Sequence, residues 1–198
     1  MKCDIVISGV GGQGILSIAT VLGRAALSAG LRIKQAEVHG MAQRGGAVQS
    51  HFRISDKPVF SDVIPQQEAD LVVSMEPMES LRYIGWLSPE GWLISNRDAY
   101  ENIPDYPDLE AVHKDVAEWP RHLLVDGTAL AREAGSVRAL NMAMLGAASP
   151  FMSLLKPEQL KKAISEQFAS KGEEIVQTNL DAFQSARDVA LARQKELN

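Results

Sequence analysis

The sequence predicts an α/β fold of three layers, α/β/α, around a mainly parallel or mixed sheet, with a helical C-terminal extension. Three observations carry this expectation. The chain opens on a strand, a glycine turn, a helix and a second strand; its middle holds several short apolar runs of strand length; and after Ala129 such runs give way to helical periodicity.

The opening strand is Asp4 to Ser8, Asp-Ile-Val-Ile-Ser, a nearly continuous β-branched run of the kind buried on both faces. A helical pattern follows from Gln13 to Ala29, with Ile15, Leu16, Ala19, Leu22, Ala26 and Leu27 at helical spacing and Gly30 where a C-terminal cap belongs. Ala19, Gly23 and Ala26 are small enough to let this helix lie close to a sheet. Leu31 to Val38 reads as the second strand, and the crossover favours a parallel, right-handed unit.

Val48 to Ile54 alternates, with Val48, Ser50, Phe52 and Ile54 on one side and Gln49, His51 and Arg53 on the other, so one face is expected to be buried. Ser55-Asp56-Lys57-Pro58 supplies turn chemistry before Val59 and Phe60, which predicts a hairpin there and hence a mixed sheet. Asp70 to Ser74, Gly91 to Ser95 and His122 to Asp126 are further short strands, with a helix from Met78 to Trp86 between the first two. About five to seven strands result. Ala129 to Ala148 is a helical stretch. Pro157 then fits the first turn of a helix whose inner face carries Leu160, Ala163, Ile164, Gln167 and Phe168, and a longer helix follows with Ile175, Leu180, Phe183, Val189 and Leu191 as its apolar line. The chain reads as one domain, 1–198, with 155–198 as the helical extension.

Composition narrows the function. The 198 residues include 20 basic and 25 acidic side chains, a formal charge of -5 that repels a polyanionic backbone, so nucleic acid is not an expected partner. Cys3 is the single cysteine, whereas an iron-sulfur cluster takes several thiolates. The N-terminus lacks a signal-peptide pattern and no stretch nears the roughly 20 apolar residues of a membrane span, so the expected location is the cytoplasm.

Two loops concentrate chemistry. Gly9, Gly11 and Gly14 form a G-x-G-x-x-G pattern between strand and helix, with Gly12 and Gln13 inside it, and Glu37 stands near the end of the next strand, where a ribose-binding acid belongs. Such a turn exposes backbone N–H groups beside a helix N-terminus and suits anionic oxygen. It also serves as a plain tight turn, and both readings stand at this point. Gln13 and the run that follows Glu37 count against ordinary NAD binding. That run, His39-Gly40-Met41-Ala42-Gln43-Arg44-Gly45-Gly46, lies along the same carboxyl edge of the predicted sheet, so the two loops are expected to form one site. Arg44 suits a phosphate or carboxylate, or a salt bridge, and Gly45 and Gly46 permit close approach. The four histidines are dispersed without metal-ligand spacing, Cys3 reads as core, Asp126 as a helix cap, and Asn141 as a buried polar residue that braces a loop or meets another subunit.

Gly9 to Gly14, Glu37 to Gly46, Arg53-Ile54-Ser55-Asp56 and Asn141 to Gly146 together resemble the gamma-type domain of 2-oxoacid:ferredoxin oxidoreductases. Glu-Val-His-Gly-Met-Ala-Gln-Arg-Gly-Gly, Glu37 to Gly46, looks like the indolepyruvate branch. The resemblance implies a larger alpha subunit that holds thiamine diphosphate and the iron-sulfur clusters, CoA as co-substrate, and ferredoxin as electron acceptor. It further implies that Gly9, Gly11, Gly12, Gln13, Gly14, Glu37, His39, Gly40, Gln43, Arg44, Gly45 and Gly46 contribute to a cofactor or substrate site. The competing readings are a free-standing NAD-binding oxidoreductase and a non-catalytic assembly or regulatory protein with a nucleotide pocket. Tyr100 to Arg121 carries nothing diagnostic.

Overall fold

A computed structural model describes residues 1–39, 45–101 and 103–197. Its strands are β1 (Lys2–Val10), β2 (Arg32–His39), β3 (Ala47–Ser55), β4 (Ala69–Ser74), β5 (Leu87–Asn96) and β6 (His122–Val125). Its helices are α1 (Ile15–Ser28), α2 (Pro77–Arg82), α3 (Leu109–Ala117), α4 (Gly127–Glu133), α5 (Leu140–Ala148), α6 (Pro157–Phe168) and α7 (Glu173–Leu197).

The sheet runs β2-β3-β1-β4-β5-β6. β1, β4, β5 and β6 are parallel neighbours, whereas β3 is antiparallel to both β1 and β2. The sheet is therefore mixed, as expected, but the hairpin responsible is β2–β3. The expected hairpin through Val59 and Phe60 is absent: those residues lie outside the strands and the Phe60 side chain is 93% exposed. β1 and β2 point the same way, as the crossover implied, with β3 inserted between them.

Period-two alternation explains the layers. Ile5 and Ile7 of β1, Leu71 and Val73 of β4 and Ile94 of β5 join the larger core beneath α1, α5, α6 and α7. Val6, Val72 and Leu93 face the other way and meet Ile64, Tyr83, Leu87 and Val116 under α2 and α3. β3 is covered on both faces, not one: Phe52 and Ile54 pack under α1, while His51 on the opposite side is buried against the edge of Trp86, with ring centroids 6.0 Å apart.

α1 keeps close to the sheet because Ala19, Gly23 and Ala26 face it. A methyl at Gly23 would meet Ile33 Cδ1 at 3.5 Å and Phe52 Cζ at 3.8 Å. Its C-terminus is a Schellman turn, with Leu31 N–H donating to Ala26 O at 2.9 Å and Gly30 N–H to Leu27 O at 3.0 Å around a left-handed Gly30. The expected Met78 to Trp86 helix divides into α2 and a 3₁₀ turn, Ile84–Trp86. The stretch Ala129 to Ala148 likewise breaks at Gly135, φ 116°, into α4 and α5. Of the apolar line expected on α7, Phe183 is buried and Leu180 packs against the core, whereas Ile175 and Val189 are each 42% exposed, and Ala182, Ala186 and Ala190 complete the buried face. Small residues define its inner face because it lies against α5 at backbone contact: a methyl on Gly146 would overlap the Phe183 carbonyl. Among the described residues, no helix is long and apolar enough to cross a membrane.

Candidate functional site

The carboxyl ends of β1 and β2 and the start of β3 meet at one corner of the sheet, and the glycine loop grows from it. β1 ends at Val10, the chain turns through Gly11 to Gly14, and α1 begins at Ile15. Gly12 at φ 105° and Gly14 at φ 83° occupy left-handed backbone that L side chains enter only with strain. Gly14 is the N-cap of α1, where no side chain caps the helix and Gly14 O accepts the Ser17 N–H at 3.0 Å.

Among the described residues, the second loop meets the first through backbone hydrogen bonds. Gly11 N–H donates to Gly46 O at 2.8 Å, and Gly45 N–H to Gly11 O at 3.4 Å. The expected meeting of the two loops is thus observed at Gly11, Gly45 and Gly46. Gly40, Gln43 and Arg44 lie outside the described residues, and of His39 the backbone alone is described, closing β2 opposite Val48. Beside this contact opens a cleft of about 380 Å³, lined by the apolar residues Val10, Ile15, Leu16 and Val48, by Gly11, Gly12 and Gly14, and by Glu37. Glu37 pairs in register with Ser50, which puts it on the α1 side of the sheet.

Gln13 turns inward. Its Oε1 accepts the Val10 N–H at 2.7 Å and its Nε2 donates to Met75 O at 3.4 Å, spanning from the loop to the end of β4. Asn141, from α5, donates from Nδ2 to Gly14 O at 3.4 Å, while its Oδ1 accepts the Met142 N–H at 2.9 Å. Asn141 therefore braces a loop, one of the two roles open to it from its sequence position.

Sequence reasoning missed the groups beside the loop on β4. Met75 N–H donates to Ser8 O at 2.9 Å and continues the parallel ladder past Ser74. Glu76, 1% exposed, caps α2 through its Oε2, which accepts the Glu79 N–H at 2.7 Å, and its Oε1 accepts the Tyr106 hydroxyl. Burial and the Glu76 carboxylate push that hydroxyl's pKa well above the ordinary tyrosine value. An acid directly before Pro77 is a legible helix-start signal; Tyr106, 30 residues away, offers none. Asp126 caps α4 by accepting the Ala129 N–H at 3.4 Å, as read. Cys3 is buried in the core of β1, where desolvation raises its thiol far out of the reactive range.

The mixed six-stranded sheet with its covering helices matches the α/β fold of gamma-type subunits of 2-oxoacid:ferredoxin oxidoreductases. Pyruvate oxidoreductase subunit PORC from Thermotoga maritima superposes with a TM-score of 0.74 at 26% identity, over 94% of this chain and 96% of that one. A 2-oxoglutarate:ferredoxin oxidoreductase from Magnetococcus marinus shares the fold with a TM-score of 0.76 at 23% identity, and there 96% of this chain corresponds to 31% of a longer one. The chain belongs to the pyruvate ferredoxin/flavodoxin oxidoreductase family, whose model matches residues 4–189. Within it, the chain is 36% identical over 200 residues to the indolepyruvate oxidoreductase subunit IorB of Archaeoglobus fulgidus, covering 97% of each.

Proposed function

We propose that this chain is the small subunit of a CoA-dependent oxidoreductase acting on indolepyruvate or a related aryl 2-oxoacid. In this reading a larger partner holds thiamine diphosphate and the iron-sulfur clusters, and ferredoxin receives the electrons. The backbone bonding of Gly11 to Gly45 and Gly46 carries the proposal, because it joins two loops that are separate in sequence at the edge of the cleft that Gly11 lines. The likeness to a subunit named for indolepyruvate supports the substrate class. CoA as co-substrate is supported by the Magnetococcus marinus enzyme, whose fold is shared and which was solved with CoA and succinyl-CoA bound.

The cleft's chemistry suits CoA. Backbone N–H groups at the start of α1 favour phosphate oxygen, and the walls Val10, Ile15, Leu16 and Val48 suit an apolar arm. Glu37 accepts hydroxyl or amide donors and repels phosphate, so it orients the ligand along the cleft. Arg44, from the second loop, is the cation of the site in this reading. The thiazolium of the partner's cofactor supplies the decarboxylation chemistry; this chain contributes binding and orientation. NAD fits the geometry less well: β3 stands between β1 and β2, which moves Glu37 one strand spacing, about 4.8 Å, away from where the acid of an adjacent-strand dinucleotide site stands.

The test is reconstitution. With a large thiamine-diphosphate partner, the complex should reduce ferredoxin in an indolepyruvate- and CoA-dependent manner, and Arg44→Ala should raise the KM for CoA about 10-fold or more. Turnover by the isolated chain, or saturable NAD binding by it, would overturn the proposal.

A further inference from the structure

The loop that receives the ligand has four glycines in six residues, Gly9 to Gly14, and glycine is the residue that loses most freedom on ordering. A donor set made of such backbone is preformed only if something outside it holds it still. Two side-chain carboxamides do so here. Gln13 closes the loop on itself at Val10 N–H and ties it to Met75 O on β4; Asn141 ties Gly14 O to α5.

The glycines divide accordingly. A Cβ on Gly9 would stand 2.7 Å from Gln13 Oε1 and 2.9 Å from Met75 Cβ, and one on Gly14 would stand 2.6 Å from Asn141 Nδ2. These two positions make room for the carboxamides. Gly12 has open space where a side chain would be, and with Gly11 it faces the cleft. The pattern is thus two glycine–amide pairs flanking an open centre.

We propose that Gln13 and Asn141 are positioning residues for CoA, holding the backbone donors of the glycine loop in their receiving conformation without touching the ligand. This gives Gln13 a role different from the ligand contact first expected of it, and it rests on the CoA reading above. Both carboxamides have their donor and acceptor engaged with protein backbone, and neither lines the cleft, which the loop borders through Gly11, Gly12 and Gly14. Asn141 also couples the loop to the helical layer, because α5 is buried from Asn141 to Ala148 and lies against α7.

The experiment uses the reconstituted two-subunit complex, with CoA titrated at saturating 2-oxoacid. Gln13→Ala and Asn141→Ala are each expected to raise the KM for CoA about 10-fold while lowering kcat less than about threefold, and the double variant to fall short of the product because both act on one loop. Gln13→Glu keeps the acceptor for Val10 N–H and loses the donor to Met75 O, so it should fall between wild type and Gln13→Ala. It replaces Gln13→Ala in the series if that variant does not assemble, as Asn141→Asp replaces Asn141→Ala. Gly12→Ala, which puts a methyl into the open cleft and strains the left-handed backbone at that position, perturbs the loop directly and separates the two hypotheses. If Gly12→Ala raises the KM and the carboxamide variants leave it unchanged, positioning is wrong and the CoA site stands. If none of the variants moves it, the CoA reading itself fails. A fall in kcat with KM unmoved in the carboxamide variants also overturns positioning.

Discussion

Gly14 meets two demands at once: a left-handed φ of 83° at the start of α1, and clearance for the Asn141 carboxamide. Gly14→Ala violates both, so the chain should lose about 1–3 kcal/mol of stability, measured as a lowered denaturant midpoint. An alanine within 0.5 kcal/mol of wild type would mean that the loop accommodates the methyl and that the Asn141 contact is dispensable. At this scale the sequence was legible where the chemistry is local and opaque where it is not. Gly14 was readable from its place between strand and helix, and Asp126 from its place before one. Asn141 was visible as a polar residue in an apolar helix, yet its partner lies 127 residues away and no spacing rule connects them. Gln13 looked like a ligand contact because the motif alone does not tell which way a side chain turns.

Elements were easier to find than to place. The short apolar runs were all strands, since burial on both faces leaves a continuous β-branched signal. The hairpin was assigned one turn too late, because Ser55-Asp56-Lys57-Pro58 carries stronger turn residues than the glycine loop that joins β2 to β3. Behind Ser55, Arg53 instead pins the following segment, its Nη1 donating to Ser61 O at 3.3 Å and Val63 O at 3.1 Å while Nε and Nη2 hold Asp4 at 2.9 and 3.0 Å. α7 misled in another way. Large apolar residues marked a stripe of which Phe183 is buried and Ile175 and Val189 are not, and the rest of the buried face is Ala182, Ala186 and Ala190, whose smallness lets the helix reach α5. Gly146→Ala tests this contact: with no flexible atom to yield, the methyl forces the two backbones apart, and a loss of more than about 3 kcal/mol, or failure to accumulate folded protein, is expected by thermal melting. A well-folded variant with an unchanged melting temperature would show that the helices are not in backbone contact.

For the molecule as a whole, pH should act through His51. Its ring is held below the ordinary 6.5 by burial first and by the Arg53 charge second, with Asp62 opposing, and its Nδ1 accepts the Ile64 N–H at 3.2 Å. A histidine whose folded value is depressed leaves the unfolded chain binding more protons just below 6.5. Its stabilising contribution is therefore full above that pH and is lost as pH falls through the window beneath it. Asp70 and Glu79, raised mainly by burial from 3.8 and 4.5, act in the opposite sense: their contribution is full below those values and is lost as pH rises past them. The urea midpoint should decline from pH 7 to about 5.5 in wild type and decline less in His51→Asn, which keeps an acceptor for Ile64 N–H but does not titrate. Equal slopes in the two proteins would assign the decline to other groups.

The place of β1 has a consequence for how the chain is made. It is the first strand in the sequence and sits inside the sheet, flanked by β3, whose pairing residues begin at 47, and by β4, whose pairing residues run to 74. During synthesis at about 5–20 residues per second, its Ile-Val-Ile run waits on the order of 4–14 seconds for its second neighbour to leave the ribosome. The strand that leads into the glycine loop is thus the longest without a partner, and the vulnerability of the nascent chain is concentrated in a strand that the finished fold buries almost throughout.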